Sequence, residues 1–355
     1  MTHEADLQQL IDSVVAPDEA FETCAWGRLD TLTKPPRSLG RLEELAARMS
    51  VIQQDIRPVA TPMAIVLMAG DHGVVVEGVS PYPQDVTWQM VANFSAGGAA
   101  INQLAGHVGA QLVLVDIGVA ADVSHIVGVR HAKVRAGTAN MAVGPAMTRE
   151  EAAEAILVGI RVARELADSG VKLIGTGEMG IGNTTAAAAL TAAFAGAKPA
   201  SVVGRGTGLD DAGVLHKAGV IDRALALNHV QTLDPLGVLA AVGGLEIAGL
   251  AGVFIGAAVS GVACVSDGFI SGAALLAATR ICPLCSAFAF PSHRSVEPGH
   301  AKVLEVLGLT AVLELDMRLG EGTGAALAMS VIDAACKVMS GMATFDGAGV
   351  SDRED

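Results

Sequence analysis

The residues best suited to chemistry lie in three glycine-bordered segments. The first, Gly175-Thr-Gly177-Glu178-Met179-Gly180-Ile-Gly182-Asn183-Thr184-Thr185, follows a short apolar run and precedes an alanine-rich stretch. Gly175, Gly177 and Gly180 satisfy G-x-G-x-x-G, the pattern that seats a dinucleotide pyrophosphate on a helix N-terminus. Glu178 opposes that reading, because a carboxylate inside the loop would face the pyrophosphate. Nor does an Asp or Glu end the next expected strand to hold a ribose; that run ends Val203-Gly204-Arg205. What survives is a seat for one phosphate on backbone N–H groups near Asn183. Gly204-Arg205-Gly206-Thr207-Gly208 is the second loop, and the helix expected after it carries Lys217. That lysine is either a charge partner for the same phosphate or a solvated side chain. The third loop is Arg318-Leu-Gly320-Glu321-Gly322-Thr323-Gly324, directly before a helical pattern. Its flanking glycines let a ligand approach Glu321 closely, and a half-buried Glu is what a general base near neutral pH requires. An acid at a helix start is also stabilising in its own right. His72 and His293 lack a second ligand at metal spacing and read as hydrogen-bonded loop residues. Cys282-Pro-Leu-Cys285 is a lone C-x-x-C with no second pair to complete a zinc site, so packing on or near a helix is expected. No metal and no other cofactor is expected.

These residues need a scaffold, and the hydrophobic pattern supplies one. Short continuous apolar runs at 63–69, 112–117, 171–174, 201–203, 262–265 and 311–315 are each followed by Gly, Asp or Ser, with helical patterns between them. Buried strands alternating with helices predict an α/β fold: a parallel, Rossmann-like sheet of about six strands with helices on both faces. Ligands then bind at the carboxyl ends of the strands, where the glycine loops lie. Residues 1–57 read as helices broken at Thr33-Lys-Pro-Pro36, and 323–342 as a further helix able to pack beside them. The chain of 355 residues is 51% apolar and 17% charged, which excludes disorder. A net charge of −14 and only 3% aromatics argue against a nucleic-acid partner. Residues 247–266 carry no charge over a length that could span a bilayer, but acidic flanks and four glycines favour a buried helix, a turn near Ser260-Gly261 and a strand. The first twelve residues are acidic and polar, unlike a secretion signal, so a cytoplasmic location is the expectation.

Taken in order, these loops resemble one family closely: the nicotinate-nucleotide–dimethylbenzimidazole phosphoribosyltransferases of cobalamin nucleotide-loop assembly. The matching segments are 70–74 (GDHGV) with 77–79 (EGV), 140–147 (NMAVGPAM), 175–185, 242–245 (VGGL), 267–271 (DGFIS), 291–295 (PSHRS) and 318–329 (RLGEGTGAALAM). They cover nearly the whole chain, from about residue 30 to 345. The resemblance implies a parallel sheet domain, assigned to 60–320, with a smaller helical domain from 1–59 and 321–355, and a homodimer. It implies transfer of 5-phosphoribose from nicotinate mononucleotide to 5,6-dimethylbenzimidazole or a related base, giving α-ribazole 5′-phosphate and nicotinate. The family's base matches Glu321 and its second carboxylate Glu178. Phosphate contacts carry over to Gly180, Gly206, Lys217 and Ser295, while Gly208 stands where a relative has Asn. The walls of the base pocket match Tyr82, Met90 and Met179. Two rival readings stand beside this one: a nicotinamide-dinucleotide oxidoreductase, which would bind NADH tightly, and a non-catalytic nucleotide-binding protein, which would show no turnover.

Overall fold

The structure is a computed structural model describing residues 2–206 and 208–351. Six parallel strands form one sheet: β1 (Met63–Gly70), β2 (Ala110–Gly118), β3 (Val129–His131), β4 (Leu173–Met179), β5 (Ala263–Ser266) and β6 (Ala289–Pro291). Their order is β3-β2-β1-β4-β5-β6. The chain therefore builds outward from β1 through β2 to β3, then returns to lay β4 on the other side of β1. The switch point lies between β1 and β4, where an open α/β sheet leaves a crevice at its carboxyl edge.

Side chains alternate across the sheet. The continuous apolar sequence of β1 is thus explained by burial on both faces, since every one of its residues is buried. On one face lies the helix Leu245–Val259, where Gly249 meets Met68 and Ile117. On the other lies the helix Thr323–Gly341, whose Ala325 and Met329 pack at Gly175 against Ile65. The helices Arg149–Asp168 and Leu245–Val259 touch backbone to backbone: a Cβ on Gly252 would stand 2.0 Å from the Ile156 carbonyl oxygen. This contact is what the glycine-rich, aromatic-poor composition makes room for. Thr148 starts the Arg149–Asp168 helix with a capping box, its hydroxyl accepting from the Glu151 N–H while the Glu151 carboxylate accepts from the Thr148 N–H.

The two chain ends meet. The helices Phe21–Asp30 and Arg41–Gln53 pack together, and the second packs on Thr323–Gly341. Thr33 donates its N–H to the Ala343 carbonyl at 3.0 Å, and Arg28 donates to the Met342 carbonyl at 3.0 Å. The Thr323–Gly341 helix also contacts β4 and β5, and the first helix, His3–Asp12, packs on Arg149–Asp168 instead. Residues 247–266 form the buried end of a helix, a turn and β5, as expected. Among the described residues the helix Thr323–Gly341 has the length and composition to cross a bilayer, yet half of that stretch is buried inside the fold.

Two expected strands are not strands of the sheet. Residues 201–203 lie at the end of a helical turn, Pro199–Val202, which Pro199 starts from its first position. The loop Gly204–Gly208 therefore follows a helical turn and not a strand. Residues 311–315 run beside the sheet edge, Val312 donating its N–H to the Pro291 carbonyl at 3.0 Å and Leu313 bridging His293 just beyond β6. In their place the sheet uses β3, which contains Arg130 and His131, and β6, which ends in Pro291. Three-residue edge strands with charged or proline positions leave no periodicity to read.

Candidate active site

At the β1–β4 switch point the structure opens a cavity of about 680 Å³. Its wall includes eight of the nine expected site residues: Glu178, Glu321, Gly180, Gly206, Ser295, Tyr82, Met90 and Met179. The ninth, Lys217, lies just beneath. Its ammonium donates to the Thr184 hydroxyl at 2.6 Å, and Thr184 is on the wall. Lys217 is only 1% exposed, which removes the alternative of a solvated helix face.

The glycines of the first loop have other work than a dinucleotide fingerprint. Gly175 and Gly177 lie inside β4, which runs on to Met179. A Cβ on Gly177 would stand 2.5 Å from the Glu321 carbonyl oxygen, and one on Gly180 would stand 2.2 Å from the Gly70 carbonyl oxygen. Gly177 thus lets the Glu321 turn rest on the strand, and Gly180 lets the ends of β4 and β1 close together. Gly177→Ala should drive the Glu321 turn away from β4. Overpacking of this kind costs ~1–3 kcal/mol, so thermal unfolding should report a lowered midpoint; an unchanged midpoint would mean the turn is not seated as described.

Glu321 is held in an unusual backbone. Gly320, Glu321 and Gly322 all have positive φ, at +85°, +64° and +89°. A non-glycine residue pays for that conformation, and such strain concentrates at functional sites. Two hydrogen-bond systems hold it. The Thr323 hydroxyl donates to the Gly320 carbonyl at 2.8 Å. The buried Asp267 carboxylate accepts the Gly322 N–H at 3.2 Å and the Ala325 N–H at 2.9 Å, fixing the start of the Thr323–Gly341 helix. Burial raises the Glu321 carboxyl above the usual range and Asp267 adds repulsion, against a small opposing pull from the Ile101 N–H.

Glu178 ends up beside this turn. Its carboxylate accepts from the Asn183 side-chain amide and lies where any side chain on Gly320 would collide. Burial pushes it up to about 8, reinforced by Asp267, Glu246 and, more weakly, Glu321, with Asn183 pulling the other way. Near neutral pH Glu178 therefore holds a proton. Two carboxyl groups in one cleft, one of them kept protonated, give one donor and one acceptor.

Another stretch of the wall has two cations at hand, Lys217 and Arg318, and its Gly206 and Ser295 N–H groups are donated to the Glu297 carboxylate and to His300. Gly206, Ser295, Thr184 and Arg318 line it, and Arg318 donates to the Gly206 carbonyl at 3.3 Å. Burial lowers Lys217 to about 8 despite the attraction of Glu297. Behind the wall His72 and Glu246 form a buried pair at 2.7 Å. His72 is thus a hydrogen-bonded loop residue. His293 is buried in the wall next to Gly268 and Gly324. Cys282 and Cys285 are both buried and free at the end of the Phe269–Ile281 helix, where the Cys285 N–H donates to the Cys282 carbonyl at 3.1 Å.

Asp267, Thr184, Glu297 and Arg318 line the cavity without having been singled out from sequence, and Asn183, expected only to mark a phosphate seat on backbone N–H groups, instead gives its side-chain amide to Glu178. Asp267 and Arg318 do lie in the matched segments, directly after β5 and ahead of Glu321. Glu297 carries no pattern, being a lone acid before a proline.

A family model described as phosphoribosyltransferase matches residues 14–350. A nicotinate-nucleotide–dimethylbenzimidazole phosphoribosyltransferase of Chloroflexus aggregans is 54% identical over 98% of this chain and 99% of its own. One from Geobacter metallireducens is 50% identical over 98% and 99%. The crystal structure of the Thermus thermophilus enzyme of that name superposes with a TM-score of 0.90 at 47% identity, covering 95% of this chain and 100% of that one. A family match across most of the length and relatives at half identity from end to end place this chain in the nicotinate-nucleotide–dimethylbenzimidazole phosphoribosyltransferase family.

Proposed function

We propose that the protein transfers 5-phosphoribose from nicotinate mononucleotide to a ring nitrogen of 5,6-dimethylbenzimidazole, forming α-ribazole 5′-phosphate and nicotinate. The observation that carries this reading is one cavity that brings a raised, strained Glu321 and a proton-holding Glu178 together with Arg318, Ser295 and the Gly206 loop above Lys217. In the donor the nicotinate nitrogen is quaternary, so the leaving group carries its own driving force. The lone pair of one benzimidazole nitrogen attacks the anomeric carbon. The electrons of the breaking C–N bond pass into the nicotinate ring and neutralise it. The other benzimidazole nitrogen must then lose its proton.

Glu321 takes that proton. A carboxylate raised by burial is a stronger base than one in water, and water exclusion protects the step. Glu178, still protonated and held by Asn183, hydrogen-bonds and orients the aromatic base. Gly180, Gly206, Ser295 and Lys217 bind the 5′-phosphate, the Lys217 ammonium reaching it beside Gly206. Attack on the face opposite nicotinate converts the β configuration to α. In this reading residues 60–320 form the sheet domain and 1–59 with 321–355 a helical unit, residues 1, 207 and 352–355 of that division lying outside the described residues, and the Thr323–Gly341 helix of that unit also covers a face of the sheet. A homodimer and a cytoplasmic location, with no membrane or nucleic-acid partner, complete the proposal.

Tyr82, Met90 and Met179 form the apolar end of the cavity. Tyr82 is half exposed at its mouth, so it bounds the pocket without sealing it. Flexible thioethers adapt to different rings, and one methyl group is worth only ~1–3 kcal/mol in such a pocket. Several benzimidazoles should therefore be accepted within roughly a hundred-fold in kcat/KM. Tyr82→Ser should reorder those preferences more than it lowers total turnover. Two bases competing for limiting nicotinate mononucleotide, with products resolved by mass, test the reading. An unchanged product ratio in the variant would remove Tyr82 from the base pocket; consumption of the nucleotide with no base-containing product would overturn the transfer reaction.

A further inference from the structure

One carboxylate sits where the phosphate is expected. Glu297 is buried, lines the cavity, and accepts the Gly206 N–H at 3.0 Å. The chain at Gly204 wraps it so closely that a Cβ there would stand 2.0 Å from the Glu297 carboxylate. Its own N–H is donated to the Ser295 hydroxyl at 3.3 Å. The Lys217 ammonium lies beside the same glycine, 3.4 Å from where a Gly206 Cβ would be, and Glu297 is the acid that attracts it. Of the four positions proposed for the phosphate, Gly206 thus already gives its N–H to this carboxylate, Lys217 is attracted to it, and Ser295 meets only its backbone N–H. A phosphate monoester carries a charge of about −2 near pH 7, so an acidic side chain on the same N–H stands in its way.

We propose that Glu297 is a built-in occupant of the phosphate seat: it holds the Gly206 N–H beside Lys217, and it competes with the nucleotide's 5′-phosphate for that seat. This rests on the phosphate end assigned above. The competition has a use. A buried lysine without a partner tends to lose its proton, and a glycine loop without an acceptor for its N–H has no fixed shape. Glu297 keeps both ready for an anion, at some expense in affinity. It is a positioning residue and takes no part in bond making.

The test is calorimetric binding of inorganic phosphate and of ribose 5-phosphate to the wild type, Glu297→Gln and Lys217→Ala. The Gln variant keeps the shape and removes the charge. It should bind inorganic phosphate roughly three- to tenfold more tightly, the scale of one like charge removed from a partly screened site, while its affinity for dimethylbenzimidazole stays constant. Equal or weaker phosphate binding overturns the proposal. So does a loss confined to ribose 5-phosphate, which would mean that Glu297 grips the sugar hydroxyls. Lys217→Ala separates the two levels: if it leaves phosphate affinity unchanged, the seat is elsewhere and the phosphate assignment fails together with this proposal. Should the Gln variant not fold, a crystal structure of the wild-type enzyme with phosphate decides. Phosphate beside Lys217 with the Glu297–Gly206 contact opened is expected; phosphate there with the 3.0 Å contact intact contradicts competition.

Discussion

Glu321→Gln is expected to lower turnover ~10²–10⁴-fold, the range in which a positioned general base contributes, with little change in affinity for nicotinate mononucleotide. The substitution keeps size and polarity but leaves no site for the benzimidazole proton. The turn that holds the side chain depends on backbone contacts, namely the Gly322 N–H on Asp267, the Thr323 hydroxyl on the Gly320 carbonyl, and Gly177 underneath. None of these involves the Glu321 carboxylate, so the variant should fold and bind normally. Single-turnover kinetics with saturating nucleotide and base would read the effect on chemistry alone. Turnover within a few-fold of wild type would remove Glu321 from the role of base and point to Glu178, the other acid in the cavity.

Lys217→Ala should weaken nicotinate mononucleotide binding by roughly ten- to hundred-fold, since a hydrogen bond to a charged group is worth ~1.5–3 kcal/mol. Affinity for the free aromatic base should hardly change, because the base pocket is walled by other residues. The same residue sets a pH dependence. Burial lowers the ammonium to about 8, and only its charged form attracts phosphate. Nucleotide affinity should therefore be full below that value and fall as pH rises through it. Lys217→Arg retains its charge to far higher pH and should move the fall upward. Equal nucleotide affinity in the Ala variant would contradict the assignment, and a fall that stays in place in the Arg variant would assign it to Glu178 losing its proton.

The carboxyl edge of the sheet was legible because the strands that build it are long or continuously apolar. β1, β2 and β4 announce themselves, and each expected polar loop after them proved to lie at the cavity or behind it. β3 and β6 were not legible: three residues including Arg130 and His131, or ending in Pro291, look like loop. The first glycine motif was legible as important, but its reason was not. G-x-G-x-x-G suggests a phosphate loop, whereas two of its glycines lie in β4, and Gly177 serves backbone contact with a turn more than 140 residues further along the chain. Lys217 could not be told from a surface lysine, because burial depends on how its helix packs against Thr184. Asp267 and Glu297 act by holding other groups, and a holding residue has no spacing rule to betray it.

In the proposed reaction nicotinate leaves as the benzimidazole arrives, in one displacement at the anomeric carbon. Proton NMR of a reaction containing the purified protein, nicotinate mononucleotide and dimethylbenzimidazole follows both events at once through the nicotinate ring signals and the anomeric proton of the product. The expected result is nicotinate and α-ribazole 5′-phosphate appearing together in equal amounts, with no nicotinate released when the base is omitted. Release of nicotinate with free ribose 5-phosphate, or a product of β configuration, would contradict the account.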